Sequence, residues 1–515
     1  MKHIQFRLGH SYNHTCIVAD VDEPVLGFNF LMEHKLDLRW KGAHAHLYHD
    51  RKPPIPLKLG PAPAPHNLGL AVVTFKQYAD AIKAKEVVKA KPVPAQYQQL
   101  LDKYPGIFSA RISKTPRHNV THSIDTGDQP PCMAKPRPIM PGTQKYVEGE
   151  KTLKEMEQVG IVERIGPGEP MLWSNALHLV AKADGKVRVC GDYRPLNSKT
   201  RLDHFPIPNL RTFAAKLKGC TYFSKIDLAR AYYLIPLTEE SAAKTTITTP
   251  WGAFKFKRLS MGLRNAAQSF QKMMSHILAG VGNIFCYLDD ILVFNNSESD
   301  HIKSVDEVLK RLHDNDLTVS LDKCEFASAE LDFLGYRVNG TGIQPINKKL
   351  QAIVDFPEPT RPKELLGFLG ALNYYRRCLG KVDGTSPADI LQPLYRAATQ
   401  KKPGVKFMDT WKQEGLQANY NTAKRMLSQA CLLVHPDTSA PLALTTDASA
   451  TSIGGCLEQF SNGRWEPIGF FSKHLKPNEV AWSTFKRELY ALQRALRHFQ
   501  AEVDGRHVVC FTDHL

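Results

Sequence analysis

The spacing of apolar residues changes several times along the chain, and each change predicts a different kind of element. Residues 1–50 carry short apolar runs, CIVADV and PVLGFNFLMEHKLDL, that predict strands and a short helix. The proline-dense RKPPIPLKLGPAPAPH then predicts a linker that packs as neither strand nor helix. Residues 78–103 are Lys-rich and helix-prone, as a tether would be. From about 116 to 345 strand-like and helix-like runs mix, which predicts an α+β region. Residues 345–435 predict mainly helices, interrupted at PEPTRP and SPADILQP. From about 436 onward the pattern reads strand, hairpin, strand, helix, strand. No internal repeat is visible.

Four stretches within the α+β region carry chemistry. In FCYLDDILVF (285–294) two carboxylates, Asp289 and Asp290, interrupt an apolar run, a pattern that fits a hairpin with the acids at its turn. Two like charges there raise repulsion and desolvation cost, which a divalent cation offsets; the alternative is an ordinary turn with solvated acids. In YFSKIDLARAYYLIPL (222–237) Asp227 closes a strand-like run, and taken alone it could equally cap a helix. Three such acids supply oxygen ligands suited to Mg²⁺. Two ions about 3.5–4 Å apart can activate an attacking 3′-hydroxyl and stabilise a leaving pyrophosphate. RLSMGLRNAAQSFQKMM (258–274) predicts a glycine turn entering a helix whose Phe270, Met273, Met274, Ile277 and Leu278 form a core stripe. SNALHLVAKADGKVRVCGDYRPLN (174–197) predicts a hairpin turning at residues 183–185, with Lys182, Lys186 and Arg188 around it. Cations so placed can grip a triphosphate or simply be solvated.

Composition narrows the field. The 515 residues suffice for three or four domains. With 67 Lys+Arg against 51 Asp+Glu, the formal charge is +16, which points to a polyanionic partner such as nucleic acid. The ten cysteines include no C-x-x-C pair, which fits reduced thiols in an intracellular, cytoplasmic setting. The first residues, MKHIQFRLGH, lack the apolar core of a signal peptide, and no run of about 18 apolar residues predicts a membrane span.

In order and spacing these stretches resemble the reverse transcriptases of Gypsy-type LTR retrotransposon Pol polyproteins. The resemblance covers about 116–345 and rests on HSIDTGDQPP, DYRPLNSKT, KIDLARAYY, GLRNAAQSFQ, YLDD and LDFLGYRVNGTGI. It implies that Asp227, Asp289 and Asp290 are catalytic metal ligands. It gives Tyr232 the place of a steric gate whose ring would exclude a ribose 2′-hydroxyl. Lys182 and Arg188 resemble the residues that hold the incoming phosphates, and Met261 and Gly262 join them at the nucleotide. The chain departs from the usual pattern at Tyr233-Leu234, Met261 and Ala267, none of them a metal ligand. Asp125-Thr126-Gly127 spells an aspartic-protease triplet, but Asp128, Gln129 and two prolines follow where apolar residues belong, so no protease role is expected there.

Two further resemblances flank this region. Residues 1–50, chiefly VADVDEPVLGFNFLMEHKLDL, resemble the C-terminal part of a retropepsin-like protease without its catalytic half, so no proteolysis is expected. Residues 436–515 resemble the N-terminal part of an RNase H domain, with Asp447 on a strand, Glu488 on a helix and Asp513 after a strand as implied metal ligands. The helix is expected to bury a stripe of Phe485, Leu489, Leu492, Leu496 and Phe499. A fourth acid of that family lies beyond the sequence, which makes weak or no hydrolysis the expectation.

The implied architecture is α+β: a β-rich retropepsin remnant (1–50), a linker and tether (51–115), the fingers and palm of a right-hand polymerase (116–345), thumb and connection (346–435), and a truncated α/β RNase H-like domain (436–515). The implied function is RNA-directed DNA polymerase, with Mg²⁺ or Mn²⁺ as cofactor and RNA template, DNA primer, RNA–DNA hybrid and dNTPs as partners. Lys348, Lys349, Arg376 and Arg377 are candidate contacts to the duplex backbone. The alternative is a catalytically inactive nucleic-acid-binding remnant of a Pol polyprotein.

Overall fold

The computed structural model describes residues 93–515 apart from 109–111, 114, 182–186, 210–213, 401–404 and 513–515, together with the backbone of five strands between residues 2 and 57. Those five strands belong to a separate N-terminal unit, Met1–Thr74. Lys2–Arg7 pairs antiparallel with Ser11–Cys16, and His44–His49 lies between Asp37–Lys41 and Lys52–Leu57. Most of the segment carrying the protease resemblance, and the short helix expected there, lie outside the described residues. The strand Lys52–Leu57 corrects the linker expectation. Its three prolines are tolerated because it is an edge strand, which needs backbone donors on one side only.

The second unit runs from Phe75 to Leu515. Here too the tether expectation is corrected, because helix Ala95–Lys103 buries Tyr97, Leu100 and Leu101 in the main core. The Tyr97 ring lies 5.9 Å from that of His301, so this helix packs against the helix Glu298–Asp314.

The central sheet has the spatial order Ile284–Tyr287, Asp290–Asn295, Tyr222–Asp227, Glu325–Ser328. Two helices cover it. Glu298–Asp314 buries His301, Val305, Val308, Leu309 and Leu312, one face at helical spacing, and Ser297 caps it by accepting the Asp300 N–H. Ala266–Ile277 buries Phe270, Met273, Met274 and Ile277, the stripe expected from sequence. A five-stranded sheet beside it contains the basic hairpin: Asn175–Ala181 and Val187–Asp192 pair antiparallel, and the turn between them lies outside the described residues.

A second core gathers the thumb and connection around the strands Glu330–Phe333, Tyr336–Asn339 and Gly342–Pro345 and the helices Asn347–Val354, Pro362–Tyr374, Pro387–Thr399 and Leu416–Ser428. The last unit is a sheet ordered Arg464–His474, Ser452–Ser461, Leu442–Ala448, Val508–Phe511, with helix Thr484–His498 against it. The expected stripe of that helix is half right. Phe499 is buried and Leu492 and Leu496 are partly so, but Phe485 and Leu489 are 62% and 58% exposed. Ala495 packs so closely on Gly455 that a Cβ on that glycine would lie 3.2 Å from it. The helix therefore turns its small residues, Ala491 and Ala495, toward the sheet.

Side chains of the connection join the last two units. Asp389 accepts hydrogen bonds from the hydroxyls of Ser386 (3.0 Å), Ser452 (2.6 Å), Ser449 (3.3 Å) and Thr451 (2.7 Å). Arg376 donates to the Ser472 carbonyl at 3.0 Å, and Arg377 pairs with Glu502 at 2.9 Å, both of its members largely buried. The expectation that Arg376 and Arg377 face a duplex is thereby corrected: their charges are engaged inside the chain. Lys348 and Lys349 are exposed.

Candidate active site

The strand pairing brings the first two acids together. Asp290 is the direct antiparallel partner of Asp227, at the same end of both strands. Directly opposed residues share a face, with Cβ atoms about 4.5–5.5 Å apart. The third acid comes from the turn. Tyr287 pairs with Asp290, so Leu288 and Asp289 form a two-residue hairpin loop in which Leu288 adopts φ +54°. The Asp289 carbonyl accepts the Leu228 N–H at 3.1 Å, which anchors the loop to the residue after Asp227.

The electrostatics are those of crowded anions. Burial raises the Asp289 carboxyl above its ordinary range, and the charges of Asp290 and Asp227 add to the rise. Burial, then Asp289 and Asp290, push the Cys286 thiol up to about 12. Two lysines supply positive charge: Lys323 reaches Asp227 at 2.9 Å and Lys225 reaches Asp290 at 3.2 Å. Among the described residues no three His, Cys, Asp or Glu side chains are already gathered as a metal cage. The donor set nevertheless fits hard divalent cations, being all carboxylate oxygen.

Of the described residues expected at the nucleotide, Tyr232 is the one whose surroundings include the acids. Tyr232 is half-buried, with its ring 5.5 Å from that of Phe270, and its hydroxyl is raised first by burial and then by the charge of Asp289. Gly262 has φ +94°, a conformation that favours glycine, and its carbonyl accepts from the Asn197 side chain at 2.7 Å. Met261 precedes it, partly exposed. Arg188 is exposed on its strand and near enough to influence Tyr233, while Lys182 lies outside the described residues.

Residues that sequence reading passed over do much of the bracing. Asn197 accepts the Arg264 N–H at 2.9 Å, and Asn265 accepts the Asp203 N–H at 3.1 Å and donates to the Arg201 carbonyl at 2.7 Å. These two amides fasten the loop after DYRPLN to the turn before the helix. Lys225, Lys323 and Gln271 were likewise missed. Lys225 stands two residues before Asp227 on the same strand, a spacing that places both on one face and was legible.

In the C-terminal unit Asp447 lies near the end of Leu442–Ala448 and pairs with Lys381. Glu488 is 6% exposed and accepts the Ala448 N–H at 2.8 Å and the Thr512 hydroxyl at 3.3 Å. The structure thus brings Glu488 beside the residue after Asp447, and Asp513 lies outside the described residues. Asp125, of the protease-like triplet, is exposed. Its carboxylate accepts the Gly127 N–H at 2.8 Å and pairs with Arg201, so it closes its own turn.

A family model for reverse transcriptase (RNA-dependent DNA polymerase) matches residues 180–338, and one for the RNase H-like domain found in reverse transcriptase matches 411–510. The chain thus carries a reverse-transcriptase domain and an RNase H-like domain. It is 35% identical over 400 residues to the retrovirus-related Pol polyprotein from transposon 297 of Drosophila melanogaster, covering 77% of the chain and 36% of that protein. It is 31% identical over 440 residues to the one from transposon gypsy of the same organism, covering 83% and 42%. The chain therefore spans about two fifths of the curated relatives it matches. The foamy viral protease-reverse transcriptase in complex with RNA/DNA hybrid aligns with a TM-score of 0.68 at 21% identity, over 89% of this chain and 59% of that one, and so shares its fold.

Proposed function

We propose that this chain extends a DNA primer on an RNA or DNA template, taking dNTPs as substrate. The observation that carries the reading is the register of Asp227 opposite Asp290, with the Asp289 carboxyl raised by burial and then by those two charges. Asp227, Asp289 and Asp290 would hold Mg²⁺ or Mn²⁺, which when bound lowers the cost of the negative charge that builds on the phosphates. The bond made joins the primer 3′-oxygen to the α-phosphorus, the bond broken releases pyrophosphate, and the hydroxyl proton is lost to solvent. The chain's own residues orient this exchange. Tyr232 beside Asp289 would crowd a ribose 2′-hydroxyl and so favour deoxynucleotides, while Arg188 and Lys182 would hold the triphosphate, with Met261 and Gly262 close to it.

The +16 formal charge supports a nucleic-acid partner held through its phosphates, with affinity falling steeply as salt rises. Asp447 and Glu488, with Asp513, would be the metal ligands of the RNase H-like domain, whose hydrolysis of the RNA in an RNA–DNA hybrid is expected to be weak or absent. The deciding experiment is primer extension with oligo-dT on poly-rA and Mg²⁺, wild type beside Asp289→Asn. Extension by the wild type alone is expected. Hybrid binding with extension by neither would instead favour the inactive remnant.

A further inference from the structure

We infer that Gln271 is a positioning residue for the catalytic turn, fixing the backbone that aims Asp289. The inference rests on the polymerase reading above and adds a residue to it. Gln271 lies on helix Ala266–Ile277 with its side chain turned under the hairpin, and the residue is 1% exposed. Its Oε1 accepts the Leu288 N–H at 2.8 Å, and its Nε2 donates to the Cys286 carbonyl at 3.1 Å and, more weakly, to Ser275 Oγ at 3.4 Å. One amide group therefore holds both sides of the peptide segment that leads into Asp289.

The site of attachment is the informative part. Leu288 is held at φ +54°, where an L residue with a branched side chain is rarely found. The sequence places leucine there, not glycine, so the conformation has to be imposed from outside. Two groups impose it in this structure. Gln271 takes the Leu288 N–H from one side, and the Leu228 N–H binds the Asp289 carbonyl from the other. Without Gln271 the loop would relax toward φ below zero, rotating the next peptide and with it the direction in which Asp289 leaves the backbone. Asp227 and Asp290, fixed by the strand register, would stay where they are. The Gln271 side chain would touch neither substrate nor metal in this role; it acts only through Leu288.

The test uses the whole chain with oligo-dT on poly-rA and Mg²⁺. Gln271→Met keeps the bulk and burial but can neither donate nor accept. The expected result is a kcat lower by about tenfold to a hundredfold, the effect of a misaimed reacting group, with hybrid affinity and dNTP KM within about twofold of wild type. Leu288→Gly added to Gln271→Met should return at least about threefold of the lost kcat, because glycine reaches positive φ without help. A merely structural glutamine would shift hybrid binding together with kcat, and glycine at position 288 would not repair it. A kcat for Gln271→Met within twofold of wild type overturns the inference, as does loss of hybrid binding alongside kcat, or no gain from the glycine. A wild type that binds hybrid but never extends it sinks the polymerase reading itself. A wild type that extends, matched by Gln271→Met, sinks only the role given to Gln271.

Discussion

The palm site and the RNase H-like site both set an aspartate near the end of a strand with a lysine beside it, but they hold their other acids differently. In the palm, Asp227 and Asp290 are cross-strand partners and Asp289 follows on the connecting turn. Backbone pairing alone brings two of the three together, and no acid has to serve as a brace. In the C-terminal unit, Glu488 comes from a helix and its carboxylate is engaged with the Ala448 N–H and the Thr512 hydroxyl, so it ties two strand ends together as well as standing near Asp447. Even the lysines differ: Lys225 and Lys323 come from the palm, whereas Lys381 is donated by the connection. A site assembled by sheet register engages its strand acids with neighbouring lysines, and one assembled by helix docking has an acid that also holds backbone and hydroxyl donors.

The largest expected break in that comparison is Asp289→Asn. Removing one oxygen ligand should cost several kcal/mol of transition-state stabilisation, about 10³-fold in extension rate, with hybrid affinity kept. Retention of more than a tenth of the wild-type rate would mean that the palm does not depend on its crowded carboxylates.

The second concerns acid stability of the palm. His301 is fully buried, and burial lowers it to about 4. It accepts the Ser224 hydroxyl at 2.7 Å, and its other nitrogen donates to Asn295 Oδ1 at 3.0 Å, as the neutral tautomer. The unfolded chain therefore binds a proton that the folded chain rejects between pH 6.5 and about 4. Stability is complete above that window and falls by up to about 3 kcal/mol across it. Urea melts at pH 7 and pH 5 measure this, and His301→Gln should flatten the difference. An unchanged pH dependence in His301→Gln would assign the loss to other groups.

Third, Glu488→Ala should cost the C-terminal unit about 1–3 kcal/mol, from the Ala448 N–H and Thr512 hydroxyl left without their acceptor, while primer extension stays at the wild-type rate. Faster hydrogen exchange at Ala448 is the direct readout; unchanged exchange would leave Glu488 without its bracing task. The smallest effect is at the gate. Tyr232→Ala should raise ribonucleotide incorporation relative to deoxynucleotide by about tenfold, the lower end of what one steric contact provides. Equal discrimination by the variant would remove Tyr232 from selectivity.

Much of this was legible from residue order, and the exceptions have physical causes. The YLDD hairpin and the Phe270–Ile277 stripe are local patterns, with periods of two and 3.6 that the sequence displays directly. The opposition of Asp227 and Asp290 is not local; it became readable only through resemblance, because strand partners more than sixty positions apart leave no mark in spacing. Lys52–Leu57 was misread because three prolines exclude a central strand but not an edge one. The outward turn of Phe485 and Leu489 follows from Gly455, a residue on a different strand. Arg376 and Arg377 stood as candidates for a duplex contact or a solvated basic face, because their partners, Ser472 and Glu502, lie 96 and 125 positions further on and leave no local mark.

The hydroxyls gathered on Asp389 bear on position as well as on stability. Three of them, from Ser449, Thr451 and Ser452, belong to the turn just after Asp447, while the carboxylate begins a connection helix rooted in the thumb core. Loosening that fastening would let the turn after Asp447 shift against the helix that Ser386 caps, with neither acid cluster itself altered.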